Sequence, residues 1–156
     1  MSKFYITTLI YYVNAEPHTG HAYTTIAADV LARYHRLKGN DVFFLTGVDE
    51  HGENIQKIAA QNGVSPQAYC DQVAPTFTKL WKRLNISYDI CLRTTSQLHK
   101  NGVRKFLNAL HKTGDIYKGK YEGYYCRPCE RFFTEKEQSE DKICPIHKLP
   151  LEWVAE

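Results

Sequence analysis

The sequence predicts an α/β fold with a parallel sheet, followed by a small cysteine-bearing domain. Three observations lead there. A strand, a helix and a second strand follow one another within the first fifty residues. Strand-like and helix-like segments go on alternating through Gly114, the pattern of βαβ units whose crossovers are right-handed and whose strands are parallel. From Asp115 the composition turns tyrosine-rich and glycine-punctuated, and three of the five cysteines follow.

FYITTLIYYV, Phe4 to Val13, is β-branched and aromatic, apolar at both parities, and ends in a turn cluster, so it reads as a first, central strand of the sheet. After Pro17 a helix is expected from Thr19 to Lys38, with Ile26, Val30, Leu31, Tyr34 and Leu37 as its apolar face and Gly39-Asn40 as its stop. DVFFLTG, Asp41 to Gly47, is a second short buried strand. A further helix should start near Gly52 and end by Asn62-Gly63. Ser65-Pro66 then supplies an N-cap and a proline at the first helical position. Tyr69, Val73, Phe77, Leu80, Trp81 and Leu84 line one face of that helix, and Pro75 should kink it. YDICLRTT, Tyr88 to Thr95, suggests a third strand. Ser96 caps a last helix whose buried stripe would be Val103, Phe106, Leu107 and Leu110. The composition break places a domain boundary near residue 115, giving domains 1–115 and 116–156.

At 156 residues, 43% of them apolar and 13% aromatic, the chain can fill a core. A formal charge of +3 permits a polyanion partner without demanding one. The longest apolar run is too short to span a bilayer, so no transmembrane helix is expected. The same start is a poor secretory leader, with Lys3 its only cation before a tyrosine-rich run, and a reducing cytoplasm fits the odd cysteine count.

The chemistry concentrates at two strand ends. In an open parallel sheet, ligands bind beyond the carboxyl ends of the strands. NAEPHTGH, Asn14 to His21, follows the first strand, where Pro17 ends the strand and Gly20 leaves the backbone open to close approach. Free N–H groups at a helix start favour an anion, and His18 and His21 can donate to the same phosphate. The competing reading is that one histidine caps the helix while the other packs against it. The second strand runs into VDEHGENI, bringing Asp49, Glu50 and His51 to the same edge, with Asp49 suited to a substrate ammonium. A solvated turn is the alternative. No G-x-G-x-x-G, P-loop or H-E-x-x-H occurs, which excludes the common dinucleotide, P-loop and zinc-protease explanations of this site.

Cys126-x2-Cys129 and Cys144-x2-His147 are two tight ligand pairs separated by fourteen residues, a spacing that lets two turns close on one tetrahedral zinc. Four protein ligands leave no open position, so the metal role is structural. Cys70 and Cys91 fall in a helix and a strand and read as buried, inert thiols. Ile116 to Pro150 carries seven Lys or Arg and six Asp or Glu, too mixed to imply RNA contact from charge. Its aromatics, Tyr117, Tyr121, Tyr124, Tyr125, Phe132 and Phe133, read first as a minimal core and second as a base-stacking surface.

TLIYYVNAEPHTGHAYTT resembles the first motif block of the methionyl-tRNA synthetases, class I enzymes marked by His-x-Gly-His. FLTGVDEHGENI, CLRTT and GDIYKGKYEGYYC with its cysteines continue the resemblance over nearly the whole chain. It implies a Rossmann-type catalytic domain with helices on both faces and a zinc-knuckle insertion, the connective peptide, which in the family lies near the tRNA acceptor end. It also implies ATP with Mg2+, methionine and tRNA as ligands, methionyl-adenylate as intermediate, and transfer of the methionyl group to the 3′ end of tRNA. On this resemblance His18, Gly20 and His21 hold the ATP phosphates, with the histidines catalytic. Asp49 holds the methionine ammonium, while Ile10 and Tyr12 line the side-chain pocket. Leu9 stands where the family commonly has proline, and Thr19 where it has isoleucine or leucine. The second family signature, Lys-Met-Ser-Lys-Ser, does not occur, and no helical anticodon-binding region is recognisable. The chain is therefore expected to be an N-terminal segment that does not complete aminoacylation alone. Two other functions compete with this one: another His-x-Gly-His synthetase, for cysteine or a branched aliphatic acid, and a noncatalytic zinc-knuckle RNA-binding module.

Overall fold

The computed structural model describes residues 2–156, which divide into one compact unit reaching Phe106 and a second from Leu107 to Glu156. The division falls earlier than the composition break near 115. It falls inside a helix, because residues 101–109 bury no side chain, so the end of that helix adds nothing to the first core.

The first unit runs β1 (Lys3–Tyr12), α1 (Thr19–Leu37), β2 (Asp41–Asp49), α2 (Glu53–Gln61), α3 (Pro66–Arg83), β3 (Ile90–Arg93) and the start of α4 (Gln97–Thr113). Its sheet has the order β1-β2-β3 with both pairings parallel, as the alternating elements require. The central strand is β2. Among the described residues β1 pairs with β2 alone, and Tyr5 and Leu9 are exposed.

The even-numbered residues of β2 face α1 and α3. Phe44 packs on Ala28 and Ala32 of α1. Val48 joins Tyr11, Val13, Ile55 and the α3 residues Cys70, Ala74, Phe77 and Trp81. On the other side, Phe43 and Leu45 with Ile90 and Leu92 line an open apolar groove flanked by Leu98, Val103 and Phe106 of α4. Helices thus lie on both faces. Two expected apolar faces are not the buried ones. In α1 the buried residues are Thr25, Ala28, Asp29 and Ala32, while Ile26, Val30, Leu31, Tyr34 and Leu37 are exposed. In α4 Val103, Phe106 and Leu107 are exposed and Leu110 is half-buried. Close helix–sheet packing selects small side chains on α1, so counting large apolar residues points to the wrong side.

Ser65 accepts from the Ala68 N–H as the N-cap of α3, which runs continuously through Pro75. Leu84, expected in its buried face, is 37% exposed at the C-cap. The turn between α3 and β3 is fixed by charge. Asp29 accepts from the Ser87 N–H and Oγ and pairs with Arg33, while Asp89 accepts from the Phe44 N–H and pairs with Arg36.

The second unit holds an antiparallel sheet of order β5-β4-β6, with β4 Glu122–Cys126, β5 Arg131–Phe133 and β6 Glu152–Ala155. Its core is Cys126, Phe133, Cys144 and Leu151, joined by Tyr124 and Cys129. Tyr124 and Phe133 therefore do pack, whereas Tyr117 and Tyr121 are exposed.

Candidate active site and metal centre

The site is built at the carboxyl ends of β1 and β2. A bulge interrupts β1 between Thr7, opposite Leu45, and Ile10, opposite Gly47, so three steps along β1 match two along β2. The extra residue inverts the alternation. Before the bulge Ile6 faces the α1 side; after it Tyr11 and Val13 do. Ile10 and Tyr12 alternate with these, and their register partners are Gly47 and Asp49, while Tyr12 also packs against the edge of the Tyr11 and Val13 core. Register thus brings Ile10 and Tyr12 of β1 beside Gly47 and Asp49 of β2, and position 47 carries no side chain. A Cβ at Gly47 would lie 2.5 Å from the Leu92 carbonyl oxygen and 3.3 Å from Ile10 Cγ2.

Past the strand, His18 is the N-cap of α1. Its Nδ1 accepts from the Gly20 N–H at 3.1 Å, and His21 Nδ1 accepts from the His18 N–H at 3.1 Å, a reciprocal capping box made of imidazoles. The rings stack with centroids 3.8 Å apart. With each Nδ1 accepting, the neutral rings carry hydrogen on Nε2, and that N–H is the donor each can offer a ligand. Burial, then the neighbouring His18, lower the His21 pKa, which favours this neutral form. Gly20 has a further reason, set by the folded geometry: a Cβ there would meet the His18 ring at 2.9 Å. Capping occupies only one nitrogen of each ring.

Tyr11, missed by sequence reasoning, supports the pair. It is buried, its ring lies 4.8 Å from that of His21, and its hydroxyl is 2.7 Å from Thr25 Oγ1, which donates to the His21 carbonyl. Beyond β2, the His51 N–H donates to Asp49 Oδ1 at 3.3 Å. Gly52 follows at φ 121°, a left-side conformation that lets the chain turn directly into α2. Glu50, the third titratable residue of this run, is buried at 4% exposure rather than facing the edge.

A model of the class I (M) tRNA synthetases matches residues 4–150, almost the whole of both units. The chain belongs to this family. It is 52% identical over 157 aligned residues to the methionine–tRNA ligase of Thermotoga maritima, covering 99% of this chain and 25% of that protein. The Mycobacterium tuberculosis methionyl-tRNA synthetase in complex with methionyl-adenylate superposes with a TM-score of 0.91 at 39% identity, over 100% of this chain and 31% of that one. An Agrobacterium radiobacter leucyl-tRNA synthetase, solved as a ternary complex with tRNA and LeuAMS, shares the fold at a TM-score of 0.77 and 21% identity. The synthetase chain thus spans about a quarter of the length of the curated relatives it matches.

In the second unit Cys126, Cys129, Cys144 and His147 each offer one ligand atom, all within 4.8 Å of one another. A tetrahedral ion with bonds of about 2.3 Å needs ligand–ligand edges of roughly 3.8 Å. The Sγ atoms of Cys129 and Cys144 are 3.6 Å apart, and His147 Nδ1 lies 3.9, 3.1 and 3.9 Å from the sulfurs of Cys126, Cys129 and Cys144. The donor set and its edges fit a soft tetrahedral metal. Burial, together with the Cys126 and Cys144 sulfurs, pushes the Cys129 thiol up to about 12. Burial would also raise Cys144, but the backbone N–H groups of His147 and Ile146 bring it down to about 6. All five cysteines are free; Cys70 is buried, and half-buried Cys91 is raised to about 11 by burial and then Glu50. Among the described residues no helix is long and apolar enough to cross a membrane.

Proposed function

We propose that this chain supplies the ATP- and methionine-gripping part of a methionyl-tRNA synthetase, which forms methionyl-adenylate and passes the methionyl group to the 3′ end of tRNA. The observation that supports the reading is the register of Ile10 and Tyr12 with Gly47 and Asp49 at the carboxyl end of the sheet, followed in the chain by a helix start whose two histidines use only Nδ1 in the cap. A thioether side chain packs on apolar and aromatic surface, its ammonium meets the Asp49 carboxylate, and its carboxylate is left to attack the α-phosphorus of ATP. Pyrophosphate leaves as charge develops on the phosphate oxygens. His18 and His21 donate to that charge, and the positive end of the α1 dipole adds to this stabilisation. The reaction requires alignment and charge stabilisation rather than a protein nucleophile. Mg2+ would accompany the nucleotide as its counter-ion.

Zn2+ is the metal proposed for Cys126, Cys129, Cys144 and His147, where it would tie the two turns together without taking part in the reaction. Free thiols suit a reducing cytoplasm. The methionyl-adenylate held by the Mycobacterium synthetase, and the methionine–tRNA ligases among the relatives, favour methionine over the cysteine and branched-chain alternatives. Equilibrium dialysis with labelled methionine tests the reading. The chain should retain methionine over leucine, isoleucine and cysteine, and Asp49→Asn should abolish retention. Equal retention of the competitors, or of methionine by the Asp49 variant, would sink it.

A further inference from the structure

Glu50 is a buried carboxylate that the proposed reaction does not use. Its side chain has no exposure, and it cannot touch a ligand at the sheet edge. A carboxylate in such a place is costly unless it is paired and fully hydrogen-bonded. Glu50 is both. Oε1 accepts from the Arg93 guanidinium at 2.7 Å, and Oε2 accepts from the Thr95 N–H at 3.3 Å and from Thr95 Oγ1 at 2.5 Å. Its own N–H donates to Thr94 Oγ1 at 2.9 Å, and the Cys70 thiol lies 3.8 Å from its carbonyl oxygen. Arg93 also pairs with Asp71 of α3 at 2.5 Å. One side chain therefore joins the end of β2 to the end of β3, the turn after it, and α3.

The consequence falls on Asp49. Glu50 directly follows Asp49, the last residue of β2, so clamping the Glu50 side chain holds the backbone that carries Asp49, whose register partner on β1 is Tyr12. The backbone on either side is held as well: the Val13 N–H donates to the Asp49 carbonyl at 3.2 Å, and the Thr94 N–H to the Val48 carbonyl at 3.3 Å. We infer that Glu50 is a positioning residue for the amino-acid half of the site, aiming the Asp49 carboxylate through its clamp by Arg93 and Thr95. This rests on the reading of Asp49 as the ammonium partner.

The test compares methionine and ATP affinities for the wild-type chain and for Glu50→Gln. The variant keeps the shape, but its amide nitrogen cannot accept where Arg93 or Thr95 donates. A loosened Asp49 should weaken methionine binding about tenfold or more, since small misplacements carry large penalties. ATP affinity should stay within about twofold, because the histidine cap is untouched. Ala32→Gly, which destabilises α1 away from the site, should lower the melting temperature without changing methionine affinity. Equal losses of methionine and ATP in Glu50→Gln, or a methionine loss in Ala32→Gly matching that of Glu50→Gln, would reduce Glu50 to a structural role and overturn the inference. If Glu50→Gln does not fold, Thr95→Val removes one donor from the carboxylate. A smaller, methionine-specific loss is expected there, and an unchanged affinity overturns the inference. Methionine binding by the wild type that survives Asp49→Asn refutes the site reading itself; wild-type binding lost in Asp49→Asn but unchanged in Glu50→Gln refutes only the positioning.

Discussion

Replacing Asp29 by alanine isolates what holds α1 to the turn before β3. Asp29 is 7% exposed and accepts three bonds: from the Ser87 N–H at 2.6 Å, from Ser87 Oγ, and from Arg33 Nε at 2.6 Å. The two serine bonds go to a buried, charged acceptor and contribute about 1.5 kcal/mol each at the low end for such bonds. Arg33 is 44% exposed, so its ion pair is screened and adds under about 0.5 kcal/mol. The sum is about 3 kcal/mol. At about 4 °C for each kcal/mol in a unit of this size, the melting temperature should fall by about 12 °C. Thermal unfolding followed by circular dichroism at neutral pH reads this directly. The effect has a pH signature. Burial raises the Asp29 pKa, but the Ser87 side-chain and backbone bonds and then Arg33 outweigh it, leaving the pKa below the ordinary aspartate value. A depressed folded-state pKa gives stability that is complete above the unfolded-state pKa and is lost as pH falls through the folded one. The gap between wild type and variant should therefore shrink in acid. A shift at neutral pH below about 3 °C, or a gap that widens in acid, would refute the account of this turn.

Three further expectations follow from the same structure. His18→Asn keeps a side-chain acceptor for the Gly20 N–H and should leave the melting temperature nearly unchanged while lowering ATP affinity; His18→Ala should lose the affinity and about 1 kcal/mol of stability as well, and unfolding curves with nucleotide titration separate the two. Gly47→Ala places a methyl carbon 2.5 Å from the Leu92 carbonyl and should cost about 1–3 kcal/mol in denaturant unfolding, with methionine binding impaired because Ile10 is pressed too. Metal analysis should return one zinc per chain, falling below half an equivalent in Cys129→Ser, and removal by a chelator should unfold the second unit, followed through Trp153 on β6.

Much of this protein is legible in the chain itself. Local chemistry determines the element order: Ser65-Pro66 starts α3, Gly114 at φ 83° stops α4, and β-branched runs give three strands joined by helices, which topology makes parallel. Spacing alone gathers Cys126, Cys129, Cys144 and His147, because ligand pairs two residues apart sit on tight turns. What the chain could not show depends on neighbours distant in sequence. The buried side of α1 is set by how closely a helix can approach Phe44, which favours Ala28 and Ala32 over larger residues nearby. The bulge in β1 exists only as a mismatch with β2, yet it decides that Tyr11 is core while Ile10 and Tyr12 come into register with Gly47 and Asp49. Glu50 looks like one more edge carboxylate until Arg93 of β3 and Thr95 of the turn after it draw it inward. Periodicity and spacing are properties of one segment and can be read along it, whereas register, burial and the pairing of a charge belong to two segments at once and come into being when they meet.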